Sequence, residues 1–413
     1  MGAPLQRLVC TEESATRRMR PATLVVGQSG GPTAVINRSL AGIVEAAIEA
    51  EHDVDEVLGA RHGVEGLLAG ELTDLRQQGP GFLGALKETP SSILGSCRYK
   101  LRDEDAERAL DSLRRVGARY FIYIGGNDSA DTAHRLAEAS RATGYDLRCI
   151  GVPKTVDNDL VLTDHCPGYG SAARFVALAA MEASRDTEAM RRSDPVKIVE
   201  VGGRHSGWLA AAAALGRRSE EEGPHLIYVP ERPVELDAIL RDVAEAHAAY
   251  GHVVIVLSEN QTDPSGGVLG SNVEPHHVDA FGHAYFDSPA QALSRWIGST
   301  LGLRVRFEKP GSLQRTSIAH RSETDATEAL AVGREAVRLA VGGASDLMVV
   351  LRRESDKPYH CATATAPLEA IASRQRTLPP DYVDDPRTGP TPAFRRYALP
   401  LLGAPLPQHA RLT

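Results

Sequence analysis

The sequence predicts an α/β protein built on mostly parallel, doubly wound sheets. Three observations carry the prediction. Short β-branched or apolar runs alternate with segments of helical period from about residue 23 to residue 351, the pattern of parallel strands joined by crossover helices. Runs such as 147–152 and 196–201 are largely apolar, as strands buried on both faces are. Many of the runs end in glycine, proline and charged residues, at the sheet edge where open α/β folds bind ligands.

Taken in order, residues 1–20 are polar and aperiodic, including Arg17-Arg18-Met19-Arg20, and are expected to form a flexible arm. Residues 23–27 read as a strand and Gln28-Ser29-Gly30-Gly31-Pro32-Thr33 as a turn. A helix follows, with Ile36, Leu40, Ile43, Val44, Ala47 and Ile48 at helical spacing. Amides at such a helix start can hold a phosphate, although glycines also serve tight turns for purely steric reasons. Residues 91–100 carry Arg98 and Lys100 among small residues, which in isolation reads as a solvated loop.

The strand 119–124 ends in Gly125-Gly126-Asn127-Asp128-Ser129, ahead of a helix with Ala130, Ala133, Leu136 and Ala137 on one face. Helix capping accounts for Asp128 or Ser129 but not for the paired glycines. The run 147–152 delivers Pro153-Lys154-Thr155-Val156-Asp157-Asn158-Asp159. A lysine, a threonine and two carboxylates at a strand's C-terminal end mark this loop as the reaction centre. A long helix starts near residue 172. The strand 196–201 then ends in Gly202-Gly203-Arg204-His205-Ser206-Gly207-Trp208, before an alanine-rich helix.

A strand at 224–229 ends in Pro230-Glu231, and a helix at 234–249 precedes a strand at 252–257. Residues 259–288 lose periodicity. Their His276, His277 and His283 lack metal-ligand spacing and read as part of a surface loop. A helix at 289–300 precedes a strand at 303–307 that places Arg304 and Arg306 on one face. A polar loop at 308–315, a helix at 325–341 and a strand at 347–351 follow, and a poorly periodic tail is expected after about residue 379.

The composition bounds the function. With 413 residues, 42% of them hydrophobic, the chain can bury cores for two or three domains. A net charge of -8 argues against nucleic-acid or membrane-surface partners. Cys10, Cys97, Cys149, Cys166 and Cys361 are scattered and lack CxxC spacing, which favours a reducing compartment without a zinc site. No stretch approaches the ~18 apolar residues of a membrane helix, and the N-terminus lacks a signal-peptide core, so a cytoplasmic protein is expected.

Together the strand ends supply Asp128, Asp157 and Asp159, one lysine, Lys154, and arginines 98, 204, 306 and 315. Cations with few carboxylates suit phosphoryl transfer, which must neutralise phosphate oxygens, hold Mg²⁺ and position a hydroxyl. No Walker A loop and no protein-kinase signature occurs.

The Gly30-Gly31 turn, Gly95-Ser96-Cys97-Arg98, Gly125 to Ser129, Pro153 to Asp159, Gly203 to Trp208, Pro230-Glu231 and Gln314-Arg315 occur in an order that resembles the phosphofructokinases, over about residues 21–400. The match looks closest to the pyrophosphate-dependent branch. It implies two Rossmann-like, doubly wound domains with the active site in the cleft between them. Residues 21–170 plus about 311–372 would form the donor domain, and 171–310 plus about 373–413 the sugar-phosphate domain. Asp157 would be the base for the sugar 1-hydroxyl, with Thr155 beside it. Asn127, Asp128 and Asp159 would surround Mg²⁺, and Arg98 would face the transferred phosphoryl group. Arg204, Arg306 and Arg315 would grip the distal phosphate and Glu231 a sugar hydroxyl, with Gly202, Gly203 and Ser312 against the sugar. Arg306 would reach a neighbouring subunit, implying a homodimer or larger oligomer.

ATP-using relatives carry glycine where Asp128 stands, and a carboxylate there would crowd and repel a nucleotide's α-phosphate. Lys154 replaces a small residue and offers an ammonium to the donor's second phosphate. The pair therefore reads as a pyrophosphate site, with Gly30 and Gly31 at the donor. Three positions depart from the family pattern: Asn127 for aspartate, Gly202 for methionine and Ser312 for histidine or tyrosine. The loss at 202 is expected to widen the pocket. Reversible, pyrophosphate-dependent phosphorylation of fructose 6-phosphate is the activity implied. A bulkier acceptor such as sedoheptulose 7-phosphate, or a non-catalytic sugar-phosphate-binding homologue, is the alternative.

Overall fold

A computed structural model describes residues 22–270, 277–278, 284–285, 288–385, 387 and 389–411. The expected N-terminal arm, with Cys10, and most of the histidine-bearing stretch 271–287 lie outside the described residues. In chain order the strands are β1 (Ala22–Gln28), β2 (Val54–Ala60), β3 (Leu72–Asp74), β4 (Ala118–Gly125), β5 (Arg148–Pro153), β6 (Val196–Val201) and β7 (Leu226–Tyr228). They continue with β8 (Val253–Ser258), β9 (His277–Val278), β10 (Ala284–Tyr285), β11 (Val305–Glu308), β12 (Leu347–Asp356) and β13 (Tyr359–Pro367).

Seven strands form one sheet in the order β13-β12-β5-β4-β1-β2-β3, and four form a second in the order β11-β6-β8-β7. The smaller sheet is wholly parallel. The larger is parallel except at its two edges, where β3 and β13 run antiparallel to their neighbours. Period-two alternation explains why both faces are apolar. Leu24, Val26, Ile122 and Ile150 pack with the helices Ile36–Glu49 and Glu323–Val341. Val25, Phe121, Tyr123 and Cys149 point the other way, toward Asp103–Arg115 and Asn127–Ala142. The smaller sheet repeats the arrangement. Val199, Val201 and Val256 share a core with the helix Tyr169–Ala189, and Ile198, Ile255 and Leu257 with Leu236–Tyr250 and Pro289–Leu301.

Strands of the larger sheet come from 22–153 and 347–367, those of the smaller from 196–308. We therefore propose that the two domains follow the division expected from the sequence. The C-terminal tail is different from expectation. Residues Pro392–Ala398 form a helix capped by the Thr391 side chain, and Leu399–Leu402 a 3-10 turn. Phe394 and Tyr397 are buried beside Trp208 and Tyr382. Two turns of helix are too short to display a period, so aromatic packing is what holds this segment in place. Ile48, expected on a buried face, is 39% exposed near the C-terminal end of its helix, and Arg304 precedes β11 rather than lying in it.

The segment joining the sheets is clamped by buried polar groups. Asp325, on the helix Glu323–Val341, accepts from the Gly168 and Ser171 amides (2.8 and 2.9 Å) and from the Ser171 hydroxyl (2.5 Å). A carboxylate there satisfies orphan amides at the start of the helix Tyr169–Ala189. Upstream, the buried His165 ring lies between Asp164 (2.8 Å) and Glu328 (2.7 Å). Glu328 in turn accepts from the Tyr359 hydroxyl (2.6 Å), and Arg353 pairs with Asp164 (3.0 Å). His165, Glu328 and Cys361 are the one set with metal-ligand proximity among the described residues. Both ring nitrogens are already engaged by carboxylates, so this is an ion-pair network.

Burial opposes the charge on His165, but Glu328 and Asp164 outweigh it and raise the imidazole to about 9. A folded-state value above the ordinary one makes the stabilisation complete below about pH 6.5. It is lost as pH rises through about 9. His165→Gln is expected to destabilise by roughly 3–5 kcal/mol at pH 6.5 and by much less at pH 9.5. Thermal melts of both proteins at the two pH values check this, and a pH-independent difference would contradict it.

Candidate active site

A cleft of about 460 Å³, open to solvent, collects the C-terminal ends of strands from both sheets. Its walls include the turn after β1, the loop around Arg98, the turn after β4, the loop after β5, Gly202, Arg204 and His205 after β6, and 311–315 after β11. Of the residues expected at the site, Gly30, Gly31, Arg98, Asn127, Asp128, Lys154, Thr155, Asp157, Asp159, Gly202, Arg204, Ser312 and Arg315 are brought together.

The glycine turn is explained by its neighbours. A Cβ on Gly30 would lie 2.8 Å from Lys154 Nζ, and one on Gly31 would lie 3.1 Å from Arg315 Nη1. Gly30 also has φ +74°, in the left-handed region. The turn is bare because two cations press against it, and this makes it a cradle for an anion. Arg315 Nε is buried without a hydrogen-bond partner among the described residues, a cost that an anionic ligand would offset.

At the turn after β4, Gly126 occupies the cap position of the helix Asn127–Ala142, and no side chain caps it. Asn127 Oδ1 accepts from the Asp128 amide (2.9 Å). Asp128 therefore sits in the first helical turn with its side chain exposed in the cleft wall. The capping reading of Asp128 and Ser129 does not hold.

The loop after β5 is the most constrained part of the cleft. Lys154 is only 4% exposed, and its amide bonds Gly125 O (3.0 Å). Thr155 Oγ1 accepts from the Asp157 amide (3.1 Å). Asn158 is buried at φ +55°, a conformation asparagine tolerates better than most residues. Its carboxamide accepts from Cys166 N (3.0 Å) and donates to the Tyr397 hydroxyl (2.8 Å). From the other sheet's side, Ser206 Oγ donates to Asp157 O (2.8 Å).

The electrostatics follow from this crowding. Desolvation in the cleft, then Asp159 and Glu259, push Asp157 up to about 7 against the pull of Lys154 and Arg204. Desolvation also raises Asp159, with the Thr155 hydroxyl and Lys154 opposing. Burial lowers Lys154 to about 8, held from falling further by Asp159 and Asp157. Arg98, Lys154, Arg204 and Arg315 face Asp128, Asp157, Asp159 and Glu259, so cations and carboxylates are balanced four to four. The excess of cations read from the strand ends does not survive folding, because Arg306 lies elsewhere and Glu259 enters.

Three expected residues do not line the cleft. Gly203, at φ +118°, makes a tight turn against Ser206 O. Glu231 accepts from the Gly207 amide (2.9 Å) and the Leu378 amide (2.7 Å), tying the 203–207 loop to the C-terminal segment. Arg306, on the edge strand β11, pairs with Asp194 (3.2 Å). The carboxylate that does enter is Glu259, directly after β8. The rule that chemistry sits at strand ends points to it as much as to the others. Gln314, quoted with Arg315 in the resemblance, was given no role, and Gln375 and Arg376 were missed. Arg376 donates to Asn158 O (2.8 Å), Thr163 O (2.8 Å) and Asp164 O (2.8 Å), and its guanidinium stacks 4.7 Å from the Trp208 ring. Its partners are backbone atoms some 210 positions away in sequence, which no local pattern reveals.

Known proteins resemble this chain over most of its length. The phosphofructokinase family model matches residues 23–340. A pyrophosphate–fructose 6-phosphate 1-phosphotransferase of Xanthomonas campestris is 40% identical over 395 residues, covering 94% of this chain and 93% of the relative. A sulfofructose kinase of Alkalicoccus urumqiensis is 34% identical over 363 residues, covering 88% and 92%. The crystal structure of a pyrophosphate-dependent phosphofructokinase from Marinobacter aquaeolei superposes with a TM-score of 0.84 at 36% identity, covering 94% of both chains.

Because Arg376 holds the loop by its carbonyls, Arg376→Met is expected to speed amide exchange across residues 157–168 by roughly 100-fold, the equivalent of two or three lost hydrogen bonds. Arg376→Lys is expected to recover part of the protection. Hydrogen exchange with mass spectrometry checks this. Wild-type exchange rates in the methionine variant would remove Arg376 from the account.

Proposed function

We propose, from the premise that the chain belongs to the phosphofructokinase family, that it transfers a phosphoryl group reversibly from pyrophosphate to the 1-hydroxyl of fructose 6-phosphate. The products are fructose 1,6-bisphosphate and phosphate. The observation that carries the donor assignment is the pairing of two features. Lys154 is buried against the side-chain-free Gly30-Gly31 turn, and Asp128 stands uncapped in the cleft wall. An ammonium at the turn suits a compact diphosphate, and the Asp128 carboxylate repels the α-phosphate of a nucleotide.

In this reading Asp157 accepts the proton of the 1-hydroxyl, and a base near 7 matches the working pH. Thr155, bonded to the Asp157 amide, fixes the loop's approach to that hydroxyl. Arg98 and Lys154 neutralise the oxygens of the transferred group and of the departing phosphate. Arg204 and Arg315 hold the acceptor's distal phosphate, with Arg315 also touching the donor turn through Gly31. Arg306, half-exposed on an edge strand, would complete that site from a neighbouring copy, which makes the working unit at least a homodimer. Glu259 takes the sugar-hydroxyl role first expected of Glu231, and Ser312 also lines the cleft.

The cleft carboxylates fit Mg²⁺. Asp159 is desolvated, and Mg²⁺ is commonly held by one or two carboxylates with phosphate oxygens and water. Asp159 would hold it, with Asp128 and the Asn127 amide oxygen nearby. The ion would draw charge from the pyrophosphate oxygens and so ease departure of phosphate. No helix among the described residues is long and apolar enough to cross a membrane. The described cysteines, Cys97, Cys149, Cys166 and Cys361, are unpaired, which supports a cytoplasmic setting.

A second reading keeps the donor and changes the acceptor. It is favoured by the departures at Gly202 and Ser312 and by the similarity to a sulfofructose kinase. A non-catalytic sugar-phosphate-binding role is disfavoured, because a binding module has no use for the base Asp157 beside Lys154.

An activity matrix of pyrophosphate and ATP against fructose 6-phosphate and sedoheptulose 7-phosphate tests the assignment. Turnover is expected with pyrophosphate and fructose 6-phosphate; turnover with ATP alone would overturn it. Asp157→Asn is expected to lower kcat by roughly 100-fold or more. The pH profile of kcat/KM is expected to be bell-shaped. It falls below about 7 as Asp157 takes up a proton and above about 8 as Lys154 loses one. An acid limb that persists unchanged in Asp157→Asn would assign the base elsewhere.

A further inference from the structure

The absent side chain at position 202 does not leave open space. A Cβ built on Gly202 would lie 2.8 Å from Gln314 Nε2, while Leu209 is no closer than 3.8 Å. Gln314 Oε1 accepts from the Gly202 amide (3.2 Å). The carboxamide has thus folded into the place a side chain at 202 would occupy, and the widened pocket expected from the sequence is filled. Gln314 is only 7% exposed yet lines the cleft. The Gly202 bond takes up its acceptor oxygen. Its two Nε2 hydrogens have no partner among the described residues and belong to a group at the cleft wall.

We infer that Gly202 and Gln314 act as one acceptor-selecting pair, in which glycine admits the carboxamide and Gln314 Nε2 donates a hydrogen bond to a hydroxyl of the acceptor sugar. This rests on the reading of the cleft as a sugar-phosphate kinase site, and it adds a specificity residue to that site. The direction of the amide is fixed. With Oε1 held by a backbone N–H, only the NH₂ faces the ligand. A donor at the cleft wall discriminates when the bound sugar shuts water away from it, by penalising acceptors that then leave it unpaired. The position after β6 therefore selects by hydrogen bonding where a methionine would select by apolar contact. Ring hydroxyls at C3 and C4 are the groups of a ketohexose phosphate that differ between epimers, so preference among epimers is what the pair would set.

The pair makes a coupled prediction. Gln314→Ala removes the donor, and Gly202→Ala drives Nε2 out of its place by the 2.8 Å contact. The backbone at 202 is not left-handed and the obstructing atom ends a flexible side chain, so the alanine variant can fold. Each single variant is expected to raise KM for fructose 6-phosphate roughly 3- to 10-fold, to leave KM for pyrophosphate within about twofold, and to narrow the preference for fructose 6-phosphate over tagatose 6-phosphate and psicose 6-phosphate. The double variant is expected to match the single ones instead of multiplying their effects. Multiplicative effects, equal changes in both KM values, or an unchanged epimer preference would each overturn the pair. If the wild-type protein turns over none of these sugars, the proposed activity fails. Calorimetric titration of the same three sugar phosphates then reads the pair directly, with unaltered affinities in the variants refuting it.

Discussion

The structure depends on keeping an ammonium and two carboxylates desolvated together. Lys154, Asp157 and Asp159 lie within six residues of one loop, and each is pushed by its surroundings toward its neutral form. Burial of any one alone would be costly. Together they are tolerated, because Lys154 lowers the cost of each carboxylate and the carboxylates hold the lysine charged. The same balance leaves Asp157 near 7 and Lys154 near 8, where a base can accept a proton and an ammonium can still bind an anion.

That arrangement needs a loop that cannot relax, and the fold supplies restraints from three sides. The larger sheet fixes the start of the loop through β5 and the Gly125 carbonyl. The smaller sheet reaches across with Ser206, and the C-terminal segment closes over the loop with Arg376 and Tyr397. The end of the loop is held by Asp325 at the start of the helix Tyr169–Ala189. Several of these bonds terminate on backbone carbonyls or amides, which secures the path of the chain while leaving the reactive side chains unencumbered. The C-terminal segment, aperiodic in sequence, is thereby part of the active-site support.

Much of the fold was legible. Strand–helix alternation located the parallel strands of both sheets except β2, because residues buried on two faces write continuous apolar runs, whereas β2 carries the exposed Asp55 and Glu56 in its first half. The edge strands β3 and β13 and the short helix Pro392–Ala398 were not legible: edge strands are half-exposed and two turns carry no period. At the site, the residues at strand ends such as Asp128, Lys154 and Asp157 were readable from position alone. Glu231 and Glu259 both follow strands, and only the packing tells them apart, one turned to backbone amides and the other to the cleft. Gln314 could not be weighed from sequence, because its meaning lies in a space that Gly202, 112 positions earlier, leaves free. Arg376 was invisible for the same reason.

The central claim is that the cleft is built around a diphosphate held by Lys154 at a bare glycine turn. Calorimetric titration with Mg²⁺ and imidodiphosphate, a pyrophosphate mimic that resists transfer, tests it most directly. The account predicts that imidodiphosphate binds the wild-type protein, that Lys154→Met weakens it roughly 10- to 100-fold as expected for a lost charge-assisted hydrogen bond, and that a non-hydrolysable ATP analogue binds far more weakly. An ATP analogue binding as tightly as imidodiphosphate, or a methionine variant of unchanged affinity, would contradict it.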